Sequence, residues 1–192
     1  MIYKTFPAAI AALALAACSS ETPQPVEDGA DRAPDKVTQA VAPASDRVTL
    51  TGQGLTAGTE AFFFNAGKAE VEASLAKVLG DSTDTGANGE CGAGPMEFTT
   101  YPGGLTANFQ DGKLVGWFLR NAGSEKIATD EGVLVGSSVS DFEQKHGAAA
   151  VEGSTLGSEY YSEQDKIGGL AAEGEASGVL NSLYAGTNCF FR

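Results

Sequence analysis

The sequence predicts an α+β domain built from two tandem repeats, each a helix followed by an antiparallel meander of about three strands. Residues 51–80 and 129–147 share a pattern in which T-x-x-G-[LV] precedes a further glycine and a short helix that ends in glycine. Residues 104–119 and 169–184 also resemble each other and read as hairpin strands. The chain has 25 glycines and only 19% charged residues, which favours strands and tight turns. We therefore expect one sheet with both helices on one face.

The first 17 residues have the features of a bacterial lipoprotein signal peptide. Lys4 precedes an apolar stretch at residues 6–17, which is too short to span a membrane and has the length of a signal-peptide core. The Leu-Ala-Ala-Cys sequence that ends at Cys18 resembles the lipobox of bacterial lipoproteins. The resemblance implies that Cys18 is cleaved to become the first residue and is acylated, with palmitate among the chains. Ser19 in place of Asp favours the outer membrane, facing the periplasm. The alternative is an ordinary secretory signal with an incidental cysteine.

Residues 18–46 are predicted to hold the lipidated cysteine and a disordered tether. They are rich in proline, acids, alanine and serine and show no sustained period, so they cannot bury enough apolar area to offset the entropy of ordering. Residues 47–192 then form the globular domain, with repeat one at 48–121 and repeat two at 126–192. The net charge of −13 argues against nucleic acid and against membrane contact beyond the lipid anchor.

Both predicted helices carry terminal signals. Gly80 and Gly147 suit helix C-termini because glycine adopts positive φ freely, and Ser138 is a good N-cap. In the first helix four apolar residues share one face: Val71, Leu75, Val78 and Leu79. In the second, Val139 and Phe142 do the same.

The Asp111-Gly112 pair predicts a two-residue type I′ hairpin turn. With that register Phe109 faces Leu114 and Leu105 faces Phe118 on the core side of the sheet. The opposite side then collects an apolar stripe: Val115, Trp117, Leu119, Leu180 and Tyr184. A sheet covered on one face should be polar on the other. Either residues 62–64 cover the stripe, or the stripe is an exposed patch for a partner.

Two cysteines remain once Cys18 is assigned to lipid. Export implies an oxidising compartment, so Cys91 and Cys189 are expected to form a disulfide. Closing a loop of about 100 residues would contribute about 4–5 kcal/mol in the chain-entropy model. The alternative is two free, buried thiols. A metal site is not expected, because the chain has one histidine and no C-x-x-C.

The remaining candidates for chemistry are a glycine motif and a histidine. Gly52-x-Gly54-x-x-Ala57 fits the dinucleotide fingerprint, but such glycines open a helix within a parallel βαβ unit, and here a strand-like segment follows. No cofactor is therefore expected. His146 could act as a general base, yet its place in the last turn of a helix, where a cation is favourable, favours a structural role. No catalytic constellation is found.

The layout resembles small exported domains of the BamE/SmpA-like outer-membrane lipoproteins and of the beta-lactamase-inhibitor-protein-like fold. The matching elements are the lipobox, the G-x(2–4)-[ED]-[VF] helix starts at Gly67 and Gly136, and the hairpin strands. The chain differs by an insertion between Leu55 and Asn65 and by having two units where BamE has one. The resemblance implies a non-catalytic envelope lipoprotein that binds or scaffolds another envelope protein.

Two other classes of function stay open at this point. One is a secreted inhibitor or small-ligand-binding module. The other is a small enzyme, such as an aldehyde-type dehydrogenase with Cys91 as nucleophile. Neither the partner nor the oligomeric state is named by the sequence.

Overall fold

The computed structural model describes residues 46–120, 124–173 and 178–190. In these residues the chain is α+β, with two helices and twelve strands arranged in two sheets. The signal peptide, Cys18 and the tether lie outside the described residues. Neither described helix is long and apolar enough to cross a membrane.

The smaller sheet has four strands in the order β3-β2-β1-β8. Their bounds are β1 Val48–Thr51, β2 Gly54–Ala57, β3 Glu60–Phe63 and β8 Ile127–Thr129. β1 pairs antiparallel with β2 and parallel with β8. The expectation of a single sheet is therefore wrong. The segment read as an insertion continues the β1–β2 hairpin into a third strand, and this ladder is separate from the other strands.

The larger sheet has eight strands in the order β4-β5-β6-β7-β12-β11-β10-β9, and all neighbours are antiparallel. The first four are β4 Asp84–Asn88, β5 Met96–Thr100, β6 Leu105–Gln110 and β7 Lys113–Arg120. The last four are β9 Ala149–Ala150, β10 Glu159–Tyr161, β11 Ile167–Ala171 and β12 Leu180–Gly186. Each group of four is a meander, and the final strands of the two groups, β7 and β12, pair at the centre.

A helix precedes each meander, as the terminal signals predict. Helix α1 spans Lys68–Leu79 and is followed by Gly80 at φ 91°. Helix α2 spans Val139–His146, with Gly147 in the left-handed region at φ 62°. The Ser138 hydroxyl accepts a hydrogen bond from the Asp141 amide at 3.0 Å and so caps the α2 N-terminus.

Both helices and the small sheet pack on the same side of the large sheet, which we call the near face. The Thr99 hydroxyl donates to the Glu72 carboxylate of α1 at 2.6 Å. The Trp117 indole N–H donates to the Thr51 carbonyl of β1 at 2.8 Å. The Phe142 ring of α2 lies over Gly169. The buried near-face residues of the sheet include Leu105, Ala107, Phe109, Leu114, Trp117, Leu119, Leu183 and Ala185.

The β6–β7 hairpin has the predicted turn, because Asp111 and Gly112 both have positive φ, at 50° and 70°. Phe109 pairs with Leu114 as expected. A bulge follows, with Asn108 paired to Gly116, so that Val115 is an extra residue in β7.

The bulge exchanges the faces of every later residue in β7. Trp117 pairs with Ala107 on the near face, whereas Phe118 pairs with Thr106 on the opposite side, which we call the far face. The predicted pairing of Leu105 with Phe118 is therefore wrong, and Leu105 pairs with Leu119 instead. One extra residue inverts the alternation of a strand, and the turn gives no sign of it.

Candidate functional site

The predicted partner stripe does not form a surface. Trp117, Leu119 and Leu180 are buried in the core, at 0%, 2% and 1% exposure. Val115 is half-buried at the bulge, and Tyr184 is buried on the far face. The physical reason is the inverted register after the bulge, which turns Trp117 towards the small sheet. Phe62 and Phe64 also pack against this core, so the covered alternative agrees with the structure.

The far face, which the sequence analysis did not single out, carries aromatic rings laid over glycines. A Cβ on Gly86 would lie 2.7 Å from the Phe98 Cζ atom, and a Cβ on Gly168 would overlap the Tyr184 ring. Because glycine has no side chain, each ring can lie across the neighbouring strand. Phe118 and Tyr184 pair with each other across the central β7–β12 ladder. In the described residues no helix and no strand of the small sheet was found on this face.

Residues 187–190, which we call the strap, follow β12 and lie on the far face. The Thr187 amide donates to the Val115 carbonyl at 2.8 Å. The Asn108 side-chain amide donates to the Asn188 side-chain oxygen at 2.8 Å. The Phe190 ring meets two rings edge-on, Phe118 at 5.8 Å and Tyr184 at 5.0 Å between centroids. The strap therefore covers the middle of the far face with one aromatic side chain.

A cleft of about 460 Å³ lies on the first-meander side of the strap, and we call it the basic cleft. The Arg120 guanidinium lies 5.0 Å from the centre of the Phe118 ring, which is a cation–π arrangement. No carboxylate lies within 4 Å of Arg120 in the described part of the chain. The lining residues are Phe98, Thr100, Gly104, Thr106, Phe118 and Arg120. A smaller cavity of about 200 Å³ continues from it to the strap.

A cleft of about 470 Å³ lies on the second-meander side, and we call it the acidic cleft. Its buried carboxylate is Glu159, at 4% exposure. Glu159 accepts hydrogen bonds from the Ser154 hydroxyl and from the Tyr184 phenol. A buried polar group is tolerated when it is hydrogen-bonded in this way. The lining residues are Ala149, Ala150, Val151, Glu159, Tyr161, Glu163 and Tyr184.

His146 lies between a hydroxyl and a carboxylate, the order of residues in a catalytic triad. Its Nδ1 lies 2.8 Å from Asp165 Oδ2, and its Nε2 lies 2.8 Å from Thr129 Oγ1. His146 and Thr129 are 1% and 3% exposed, however, and the Thr129 hydroxyl also accepts from the Val133 amide at 3.0 Å. Because no cleft described above reaches the hydroxyl, this arrangement supports a structural role, in which His146 ties α2 to β8 and to the turn before β11.

The glycines of the fingerprint motif lie in the β1–β2 hairpin. A Cβ on Gly52 would overlap the Asp165 carbonyl, and one on Gly54 would overlap the Phe62 carbonyl. Glycine at these positions is therefore explained by close backbone approach. The motif opens no helix, which a dinucleotide site of this type requires.

Cys91 and Cys189 are brought together but are both free thiols in this structure. The neighbouring Cys91 thiol, and then burial, raises the pKa of Cys189. The Asn88 side-chain amide donates to Cys189 Sγ at 3.3 Å. Cys91 is buried in the β4–β5 connection, so it presents no open nucleophile.

Among the described residues no group of three His, Cys, Asp or Glu side chains could hold a metal ion.

Comparison of the chain with models of known protein families, with curated proteins and with solved structures found no match.

Proposed function

We propose that this chain is a non-catalytic lipoprotein of the cell envelope that binds another envelope protein through the far face. The observation that carries the proposal is the aromatic surface on that face. Phe98 and Phe118 are half-buried there, while neither helix nor the small sheet packs against them in the described residues. Aromatic residues and arginine are enriched in protein interfaces because they bury large areas and still make polar contacts.

The anchor belongs to the same proposal. The lipobox at Cys18 and the tether at residues 18–46 support a mature protein held to the outer membrane, with its domain in the periplasm. We expect Cys18→Ser to abolish processing and fatty-acid labelling of the precursor. A variant that is still labelled and still fractionates with the outer membrane would contradict the anchor without affecting the proposed binding face.

The two halves of the large sheet support an origin in two repeats. Each half has one helix followed by four antiparallel strands, and the last strands of the halves meet at the centre. This order agrees with the proposed relationship to the BamE/SmpA-like and beta-lactamase-inhibitor-protein-like domains. The small sheet is an addition to that plan.

Site-specific photo-crosslinking in intact cells tests the binding face. A photoreactive phenylalanine analogue replaces Phe118 on the far face, and the same analogue replaces Phe63 as the matched control. Phe63 is exposed on the small sheet, so it reports chance encounters. We expect one discrete crosslinked envelope protein from position 118 that is absent from position 63. Equal patterns at the two positions would contradict the proposal.

A second function, small-ligand binding, is favoured by the basic cleft. Its volume of about 460 Å³ suits a small molecule, and Arg120 on the Phe118 ring would hold the carboxylate of an apolar or aromatic acid. A ligand-dependent rise in the melting temperature of the purified chain, lost in Arg120→Gln, would favour this function over protein binding.

A further inference from the structure

The strap occupies the far face as a ligand would. Its Phe190 ring fills the space between Phe118 and Tyr184, and its Asn188 side chain is held by Asn108. These contacts define what the middle of the face accepts: one aromatic ring on an extended backbone, with a polar side chain two residues before it. The other hydrogen bonds of Thr187 and Asn188 hold the start of the strap, so the position of Phe190 depends on what holds the end that follows.

The C-terminal end of the strap carries one cysteine and lies near another. Cys189 lies in the strap, next to Phe190, and Cys91 lies in the β4–β5 connection at the edge of the same sheet. The Asn88 side-chain amide, three residues before Cys91 in the chain, donates to Cys189 Sγ at 3.3 Å, and the neighbouring Cys91 thiol raises the pKa of Cys189. A bond between the sulfur atoms would join the strap to the β4–β5 connection of the first meander.

We propose that Cys91 and Cys189 are a redox clasp that fixes the strap over the far face, and that opening the clasp frees the Phe190 position for an aromatic residue of an extended partner segment. The clasp and the strap do not depend on the proposed function. The identity of the partner as an envelope protein does rest on it.

The closing step is thiol–disulfide exchange with a disulfide donor. The thiolate of one cysteine attacks the donor disulfide, forms a mixed disulfide and releases one donor thiolate. The thiolate of the other cysteine then attacks the protein sulfur and releases the second donor thiolate. The protein loses two protons and two electrons, the donor gains them, and one S–S bond replaces another. A dithiol reductant reverses the sequence and opens the clasp.

The first test uses the purified full chain, reduced with dithiothreitol or oxidised with glutathione disulfide. We expect oxidation to produce one intramolecular Cys91–Cys189 disulfide in peptide mapping without reduction. Hydrogen exchange at the Thr187 amide, which donates to the Val115 carbonyl, should then slow by about tenfold or more, because the strap can no longer open locally. Cys91→Ser, in which the sulfur alone is replaced, should exchange like the reduced chain under both conditions.

The second test measures the freed site with a peptide. The probe is a fluorescent peptide with the sequence of residues 185–190 in which serine replaces the cysteine, and its control carries alanine in place of phenylalanine. We expect the reduced chain and Cys91→Ser to bind the probe about tenfold more tightly than the oxidised chain. The control peptide should bind equally to all three.

Three results would overturn the clasp: thiols that stay free in glutathione disulfide, strap exchange that is unchanged by the disulfide, or equal peptide binding by oxidised and reduced chains. Loss of the crosslink at position 118 with both tests positive would overturn only the proposed partner.

Discussion

Trp117 and Phe118 are neighbours in β7, yet they belong to two very different surfaces. Trp117 is completely buried on the near face, where its indole N–H reaches the small sheet. Phe118 is half-buried on the far face, between the Arg120 guanidinium and the Phe190 ring. The near face is a closed core, whereas the far face carries charges, clefts and a single strap. The difference indicates that one side of the sheet maintains the fold, and the other is the side through which we propose binding.

Truncation of the near-face indole should have the largest effect. We expect Trp117→Ala to lower the free energy of unfolding by about 3–5 kcal/mol, because it leaves a cavity and removes the hydrogen bond to the Thr51 carbonyl. Phe118→Ala is the matched control on the far face and should cost clearly less. Urea unfolding of both variants measures the two losses in the free energy of unfolding. Equal losses would show that the far face is also part of the core.

Alkaline pH should affect the near face next. Burial, and then the Glu72 carboxylate, raises the pKa of Tyr101 from its ordinary 10.0 to about 12. The folded state thus favours the neutral phenol, so the stabilisation is complete below pH 10 and is lost as the pH rises through 12. The loss should be about 2–3 kcal/mol. Tyr101→Phe has no phenol to ionise, so its unfolding free energy should lack this component of the decline. An identical pH profile in both proteins would contradict the assignment.

On the far face the largest effect on stability is expected at the acidic cleft. Tyr184→Phe removes the phenol that donates to the buried Glu159 carboxylate, so we expect a loss of about 1–3 kcal/mol. Adding Glu159→Gln to the Tyr184→Phe chain tests whether the lost hydrogen bond is the cause. A neutral amide at position 159 depends less on the Tyr184 phenol as a donor. A Tyr184→Phe chain as stable as the parent would show that the phenol does not support the carboxylate.

The smallest effect on stability is expected at the basic cleft. Arg120 is exposed and has no described carboxylate partner, so Arg120→Gln should change the free energy of unfolding by less than about 0.5 kcal/mol. The crosslink formed from position 118 should nevertheless weaken, since the cation that lines the cleft is gone. Lys113→Gln, at the other end of β7, is the charge-matched control and should leave the crosslink unchanged.

Local signals in the sequence predicted the local parts of this fold. The α2 N-cap at Ser138, the glycines that end both helices and the Asp111-Gly112 turn all lie where the sequence places them. The cysteines are adjacent as well, although they are thiols in this structure.

The errors arose where distant residues decide the outcome. The parallel pairing of β1 with β8 joins segments almost eighty residues apart and has no turn to signal it. The bulge at Val115 is selected by burial of Trp117, which no two-residue turn reveals. The aromatic surface of the far face could not be predicted, because Phe98 and Phe118 line one cleft only in the bulged register. The sequence signals for this surface are two glycines, Gly86 under the Phe98 ring and Gly168 under the Tyr184 ring.

The bulge at Val115 also has a meaning for how such a chain could have evolved. Val115 is the unmatched residue, so a deletion there would leave Phe109 opposite Leu114 and Ala107 opposite Trp117. Both faces of the hairpin would survive the deletion. The carbonyl that receives the Thr187 amide would be lost, and with it the first attachment point of the strap. One extra residue in an otherwise regular hairpin is therefore sufficient to supply the carbonyl that anchors the covering segment.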